Sequence, residues 1–205
     1  MNNNVIDGAI PALHYWALIF LAALWSSSFL VIKVSVASIP PLTLTALRLF
    51  FAMAVLWCVL IYKGELLPSS PKIWFMCFWV GFFGNVLPFS LIGWGEEVVE
   101  SGLTAVLMAI MPLSTVVLAH FFTKGDLLTP QRFFGISIGF FGIVILVGPS
   151  VFGRLGEDGL RQLAIAMAGL SYGITTVIAC NMPQSSILGR SVAIMITGFL
   201  FLLPF

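Results

Sequence analysis

Of the chain's 205 residues, 60% are hydrophobic and only 8% charged, with nine Lys and Arg against eight Asp and Glu for a net charge of +1. Globular domains run at about 45–50% apolar and about 25% charged, so these few charges cannot clothe a water-facing surface and a soluble fold is excluded. The near-neutral balance also removes nucleic acid as a partner, since that needs a concentrated basic surface, and a mean hydropathy of +1.11 makes lipid the main solvent.

Residues 1–11 carry no Lys or Arg, and the apolar run after them is too long for a signal sequence, so the first helix is expected to be retained. Crossing a bilayer takes about 20 mostly apolar residues. Charge-free runs predict spans over 15–32, 42–62 (after Pro40-Pro41), 73–95, 101–123, 133–149 and 162–180, with a seventh opening near Ile187 and running to the end of the chain. Linkers of about ten residues between such runs predict an all-α, polytopic transmembrane bundle, because each helix satisfies its own backbone in lipid. The alternating polarity of a barrel is absent.

Charge placement gives the orientation. With the N-terminus cytoplasmic, Lys63, Lys72, Lys124, Arg132 and Arg190 fall inside, against Lys33, Arg48, Arg154 and Arg161 outside. The inside excess widens if Arg48 belongs to the membrane rather than to a loop. A multi-pass protein of the cell membrane with a cytoplasmic N-terminus is expected.

Only 14 residues separate Arg48 from Lys63, too few to span, so the second helix must start near Leu42 and carry Arg48 roughly 9 Å inward. An intramembrane arginine either serves function or snorkels to the headgroups. Lys33, at a helix end, reads as a snorkelling anchor.

In the third helix Gly81, Gly84, Asn85 and Pro88 cluster near the middle, and Pro88 strips the Gly84 carbonyl of its donor. In the fourth, Pro112 does the same to Met108, with Ser114 and Thr115 close by. Two consecutive helices broken at one depth suit a transporter's cargo site, though packing kinks give the same pattern. Trp25 with Ser26, Ser27 and Ser28 places an indole and three hydroxyls midway along the first helix, either bonding back to backbone or lining a polar path. Trp94 beside Glu96 and Glu97 reads as an interfacial anchor next to solvated acids. The glycines 135, 139 and 142 read as a face for close helix contact.

Other chemistry finds no support. Cys58, Cys77 and Cys180 are scattered in apolar runs and read as small core residues, not as a disulfide framework or metal cluster. His14 and His120 lack a second ligand at metal spacing, so no metal and no cofactor is expected. The chain has no P-loop, no His-Glu-x-x-His, no Gly-x-Ser-x-Gly and no aspartate inside a span, so it is read as not an enzyme.

An internal echo links Pro41-x6-Arg48 to Pro183-x6-Arg190, with a fainter one between Ala23-Leu-Trp-Ser26 and Gly169-Leu-Ser-Tyr172. It suggests a five-helix unit beginning again in inverted orientation, 1–150 as the first copy and 151–205 as the start of a second.

The sequence resembles the EamA family of the drug/metabolite transporter superfamily. The resemblance is carried by Ala-Leu-Trp-Ser-Ser-Ser-Phe (23–29) with Lys33, Pro-Pro-Leu-Thr-Leu-Thr-Ala-Leu-Arg (40–48), Leu-Pro-Phe-Ser-Leu-Ile-Gly-Trp-Gly-Glu (87–96), Ala-Ile-Met-Pro-Leu (109–113) and the glycine-rich run 135–149. It implies ten helices in two inverted repeats, of which this chain would be a fragment. A loop pattern of that family, Gly-Glu-x-Leu-Thr, stands here as Lys-Gly-Asp-Leu-Leu-Thr (124–129). The expected function is secondary transport of a small organic solute (an amino acid, metabolite or drug) by alternating access. Trp25, Ser27, Asn85, Pro88 and Pro112 are the expected site residues, and Arg48 an anion contact or a gate. A passive channel, or a non-transporting assembly subunit using the 135–142 glycine face, stays open, as does a homodimer.

Overall fold

The computed structural model describes residues 12–123, 128–147 and 153–204, and every regular element among them is helical. In chain order these are α1 (Ala12–Val36), α2 (Pro41–Lys63), α3 (Pro71–Gly81), a π-helical turn (Phe82–Val86), α4 (Leu87–Glu96), α5 (Ser101–Met108), α6 (Ile110–Phe122), α7 (Pro130–Val147), α8 (Gly159–Cys180) and α9 (Ile187–Leu202). Five stretches are long and apolar enough to cross a membrane: His14–Val36, Pro41–Lys63, Pro71–Glu96, Ser101–Phe122 and Gly159–Cys180. Pro130–Ile145 and Ile187–Leu202 are shorter apolar helices. Each matches a run expected from charge spacing.

Local chemistry sets the boundaries. Pro41 and Pro71 sit in the first turns of α2 and α3, where a missing N–H costs nothing. Gly64 closes α2 with φ 66°, a left-handed cap that glycine adopts without strain. Asp158 caps α8 by accepting from the Arg161 N–H, and Ser186 caps α9 by accepting from Gly189 N–H.

Connections alternate between two ends of the bundle, and polar contacts gather there. At one end Arg154 pairs with Glu100 at 2.6 Å and Arg161 pairs with Glu97. At the other, Ser186 donates to the Glu65 carboxylate and the Trp74 indole N–H donates to Pro68 O at 2.8 Å. Between these rims the interior is apolar, as in the clusters Ile32, Ile92, Ala168 and Leu49, Val86, Leu202. Trp16, Phe20, Phe51, Phe121 and Ile145 point outward. So much exposed apolar surface is tenable only where lipid is the solvent.

α8 runs through the centre, packed on α4, α5 and α6, while α9 lies against α2 and α3. These crossings are close because glycines leave room. A Cβ on Gly169 would run into Ile110 Cγ2, and one on Gly173 would meet Ser114 Oγ at 2.7 Å. The glycines expected to make such contacts do not: around Gly135, Gly139 and Gly142 nothing lies within 4 Å among the described residues, because α7 touches the bundle through α5. Cysteine placement differs from expectation as well, since Cys77 is buried but Cys58 and Cys180 are exposed.

Candidate functional site

The two proline-broken rods meet at one cavity. Pro88 cannot donate to Gly84, and the helix before it widens into the π turn Phe82–Val86. The Ser171 hydroxyl of α8 donates to the Phe83 carbonyl within that turn. Gly84 allows the approach, since a Cβ there would stand 2.8 Å from Thr175 Cγ2. Pro112 cannot donate to Met108, and the fourth rod breaks at Ala109 between α5 and α6. Ser114, whose hydroxyl also bonds back to Met111 O of its own helix at 2.9 Å, ties the break to α8 through Gly169 O at 3.3 Å.

Between these breaks and α1 lies a cavity of about 490 Å³. α1 gives it Trp25, Ser28, Phe29 and Ile32, α2 gives Arg48, and the third rod gives Gly84, Asn85, Phe89 and Ile92. The fourth rod adds Ala105, Met108, Ala109, Met111 and Pro112, with Ile143 from α7 and Tyr172 from α8. The volume suits a small organic molecule, in the usual pattern of apolar walls with a few polar groups.

Of the six residues expected to form a site, the structure brings Trp25, Arg48, Asn85 and Pro112 onto this wall. Pro88 is fully buried behind it. Ser27 is elsewhere: its hydroxyl bonds back to Leu24 O at 2.9 Å on the exposed face of α1, and its neighbour Ser28 takes the inward place. Arg48 turns into the bundle rather than toward the headgroups. Its guanidinium lies 4.2 Å from the Phe89 ring centroid, and Nη2 donates to Ser28 Oγ at 3.4 Å.

Phe29, Ile32, Phe89, Ile92 and Tyr172 were not foreseen. The signal for most of them was helical spacing from residues already singled out: 25, 28, 29 and 32 share one face, as do 85, 89 and 92. Tyr172 belongs to the faint echo of residues 23–26.

Lys33 is no headgroup anchor; its ammonium donates to Glu96 O at 2.6 Å and Val99 O at 3.0 Å, joining α1 to the α4–α5 turn. Glu96 ends α4 and Val99 lies in the turn just beyond it, so a cation is well placed at their carbonyls. Glu96 is not solvated either. It is fully buried, and neither carboxylate oxygen has a hydrogen-bond partner among the described residues. Thr104, Ser101, Lys33 and Arg48 are its polar neighbours. Glu97 is the exposed acid, paired with Arg161, whose guanidinium stacks 4.1 Å from the Trp94 ring centroid. No group of three or more His, Cys, Asp or Glu that could hold a metal occurs among the described residues.

An apolar helical bundle with a cavity between interrupted helices is the build of a multi-pass membrane transporter. The chain belongs to the EamA-like transporter family, whose model matches residues 13–148. It is similar to the uncharacterized transporter YoaV of Bacillus subtilis, 25% identical over 79% of this chain and 55% of that protein. An uncharacterized transporter of Archaeoglobus fulgidus is 30% identical over 62% of this chain and 44% of its own length. The uncharacterized inner membrane transporter YedA of Escherichia coli K12 is 27% identical over 80% of this chain and 52% of that protein. The chain thus spans about half the length of the curated relatives it matches. No solved structure matches it significantly.

Proposed function

We propose that the protein is a secondary transporter of small organic solutes, such as metabolites, amino acids or drugs, working by alternating access across the cell membrane. The observation that carries this reading is the cavity of about 490 Å³ set where two consecutive spans are both interrupted. Interrupted helices release backbone groups toward a ligand and let half-helices pivot. Residues 1–150 form the first five-helix repeat and 151–205 open the second, with the N-terminus cytoplasmic. The charge count supports this orientation, five basic residues against four, and the four fall to three once Arg48 is placed in the cavity.

Proteoliposome counterflow tests the reading. Saturable exchange is expected for the native protein. Ala105→Trp, which fills the cavity from α5, is expected to abolish it with the thermal melt unchanged, and Asn85→Leu to reduce it at least tenfold. Flux that never saturates and shows no counterflow would make the protein a passive pore. Native exchange by both variants would remove the cavity from the transport path.

A further inference from the structure

Arg48 is a cation in an apolar chamber without the partner that such a charge needs. It lies on the cavity wall among Phe29, Phe89, Ile92 and Tyr172. Its described contacts are the Phe89 ring face and one long hydrogen bond to Ser28 Oγ at 3.4 Å. The ion pairs among the described residues are Arg154–Glu100 and Arg161–Glu97, so no described carboxylate comes within 4 Å of Arg48. Glu96, the acid that faces it, sits where Lys33 holds the end of α4. A guanidinium carries five N–H donors in a planar fork that matches a carboxylate two to two. Here one donor is engaged, and weakly. Leaving a charge so poorly compensated in an apolar site costs free energy that an incoming anion recovers.

We propose that Arg48 is the headgroup site for the carboxylate of an amphipathic organic anion. This rests on the carrier reading above and names its substrate class. The carboxylate docks on the free edge of the guanidinium, which Phe89 holds flat from one face. The apolar body lies against Trp25, Phe29 and Met108, and Asn85 offers an amide to a second polar group. Of the two roles open to Arg48 from sequence, the anion contact fits better than the gate, since Arg48 bridges no two segments through an acid.

Three phenyl ligands that differ in the charge of the head test this: phenylacetate, its isostere phenylacetamide, and phenethylammonium, titrated calorimetrically into the purified protein at neutral pH. Phenylacetate is expected to bind at least tenfold tighter than the other two, and Arg48→Gln to erase the difference while leaving the amide's affinity as it was. Arg48→Lys, which keeps the charge but loses the fork, is expected to fall between. Arg190→Gln, at the far end of the bundle where Arg190 reaches Pro183 O, is expected to bind as the native protein does. The native protein alone decides the matter should a variant misfold. Equal affinity for acid and amide, or preference for the ammonium, overturns the anion site and leaves the carrier standing. Binding of none of the three together with counterflow of a neutral solute overturns the anion site alone, and without any counterflow it overturns both.

Discussion

Gly81→Val is expected to abolish recovery of folded protein, while Gly139→Val leaves yield and melting temperature close to native. Both substitutions put the same β-branched side chain into an apolar helix, so intrinsic propensity cancels between them. What differs is the neighbour. A Cβ at Gly81 would stand 2.8 Å from Ile194 O, 2.8 Å from Thr197 Oγ1 and 3.0 Å from Gly198 N. Two of these are backbone atoms of α9, and Thr197 is itself held by Cys77 O at 3.1 Å and Ala193 O at 3.0 Å. Nothing there can move without parting α3 from α9. Overpacking by a methylene or two costs about 1–3 kcal/mol where side chains can yield, and here three carbons press on main chain. Around Gly139 nothing lies within 4 Å among the described residues. Monodisperse yield by size-exclusion chromatography after mild detergent extraction reads the contrast directly. Equal yields for the two variants would show that the α3–α9 contact does not hold the bundle together.

Lys33→Met should loosen α1 from the α4–α5 turn, to which the ammonium now ties it. A hydrogen bond to a charged group contributes about 1.5–3 kcal/mol net, and tenfold in an equilibrium corresponds to about 1.4 kcal/mol. Loss of both contacts, to Glu96 O and Val99 O, therefore raises the open fraction at least tenfold even if only one contributes fully. Ile32 reports it well, being 5% exposed and on the cavity wall beside Lys33. An Ile32→Cys reporter is made with Cys58→Ser and Cys180→Ser, because those two thiols are exposed, and Cys77 stays because it is buried. Labelling by a membrane-impermeant maleimide is expected to quicken at least tenfold with Lys33→Met. An unchanged rate would mean that α1 is held to the α4–α5 turn by packing alone.

Much of the architecture was legible because lipid imposes a one-dimensional rule. A span must be long, apolar and uncharged, so charge positions alone marked all seven helical runs, and prolines with no N–H to give marked where two of them break. Arg48 entered the membrane by counting residues to Lys63, and the structure puts it on the cavity wall. The misreadings share one cause, which is that sequence gives depth along a helix but not the direction a side chain takes around it. Ser27 and Ser28 are equally polar and equally deep, yet about 100° of helical rotation sends one outward and the other to Arg48. The 135–142 glycines had the right spacing for close contact, and the contact went instead to Gly81, Gly169 and Gly173, where α8 and α9 cross their neighbours.

By itself, then, the sequence determined that this protein lives in a bilayer, where its apolar helical runs lie, and where two of them must lose regularity, since each follows from solvation and backbone chemistry along the chain. Only the tertiary structure decided that both breaks face one chamber, that Lys33 ties α1 to the α4–α5 turn through two carbonyls, and that Glu96 is buried rather than solvated. In lipid the helices gain little from hydrophobicity when they associate. Which faces meet is therefore settled by the shape of small residues and the placing of a few polar groups, and these act across the bundle, between residues far apart in the chain.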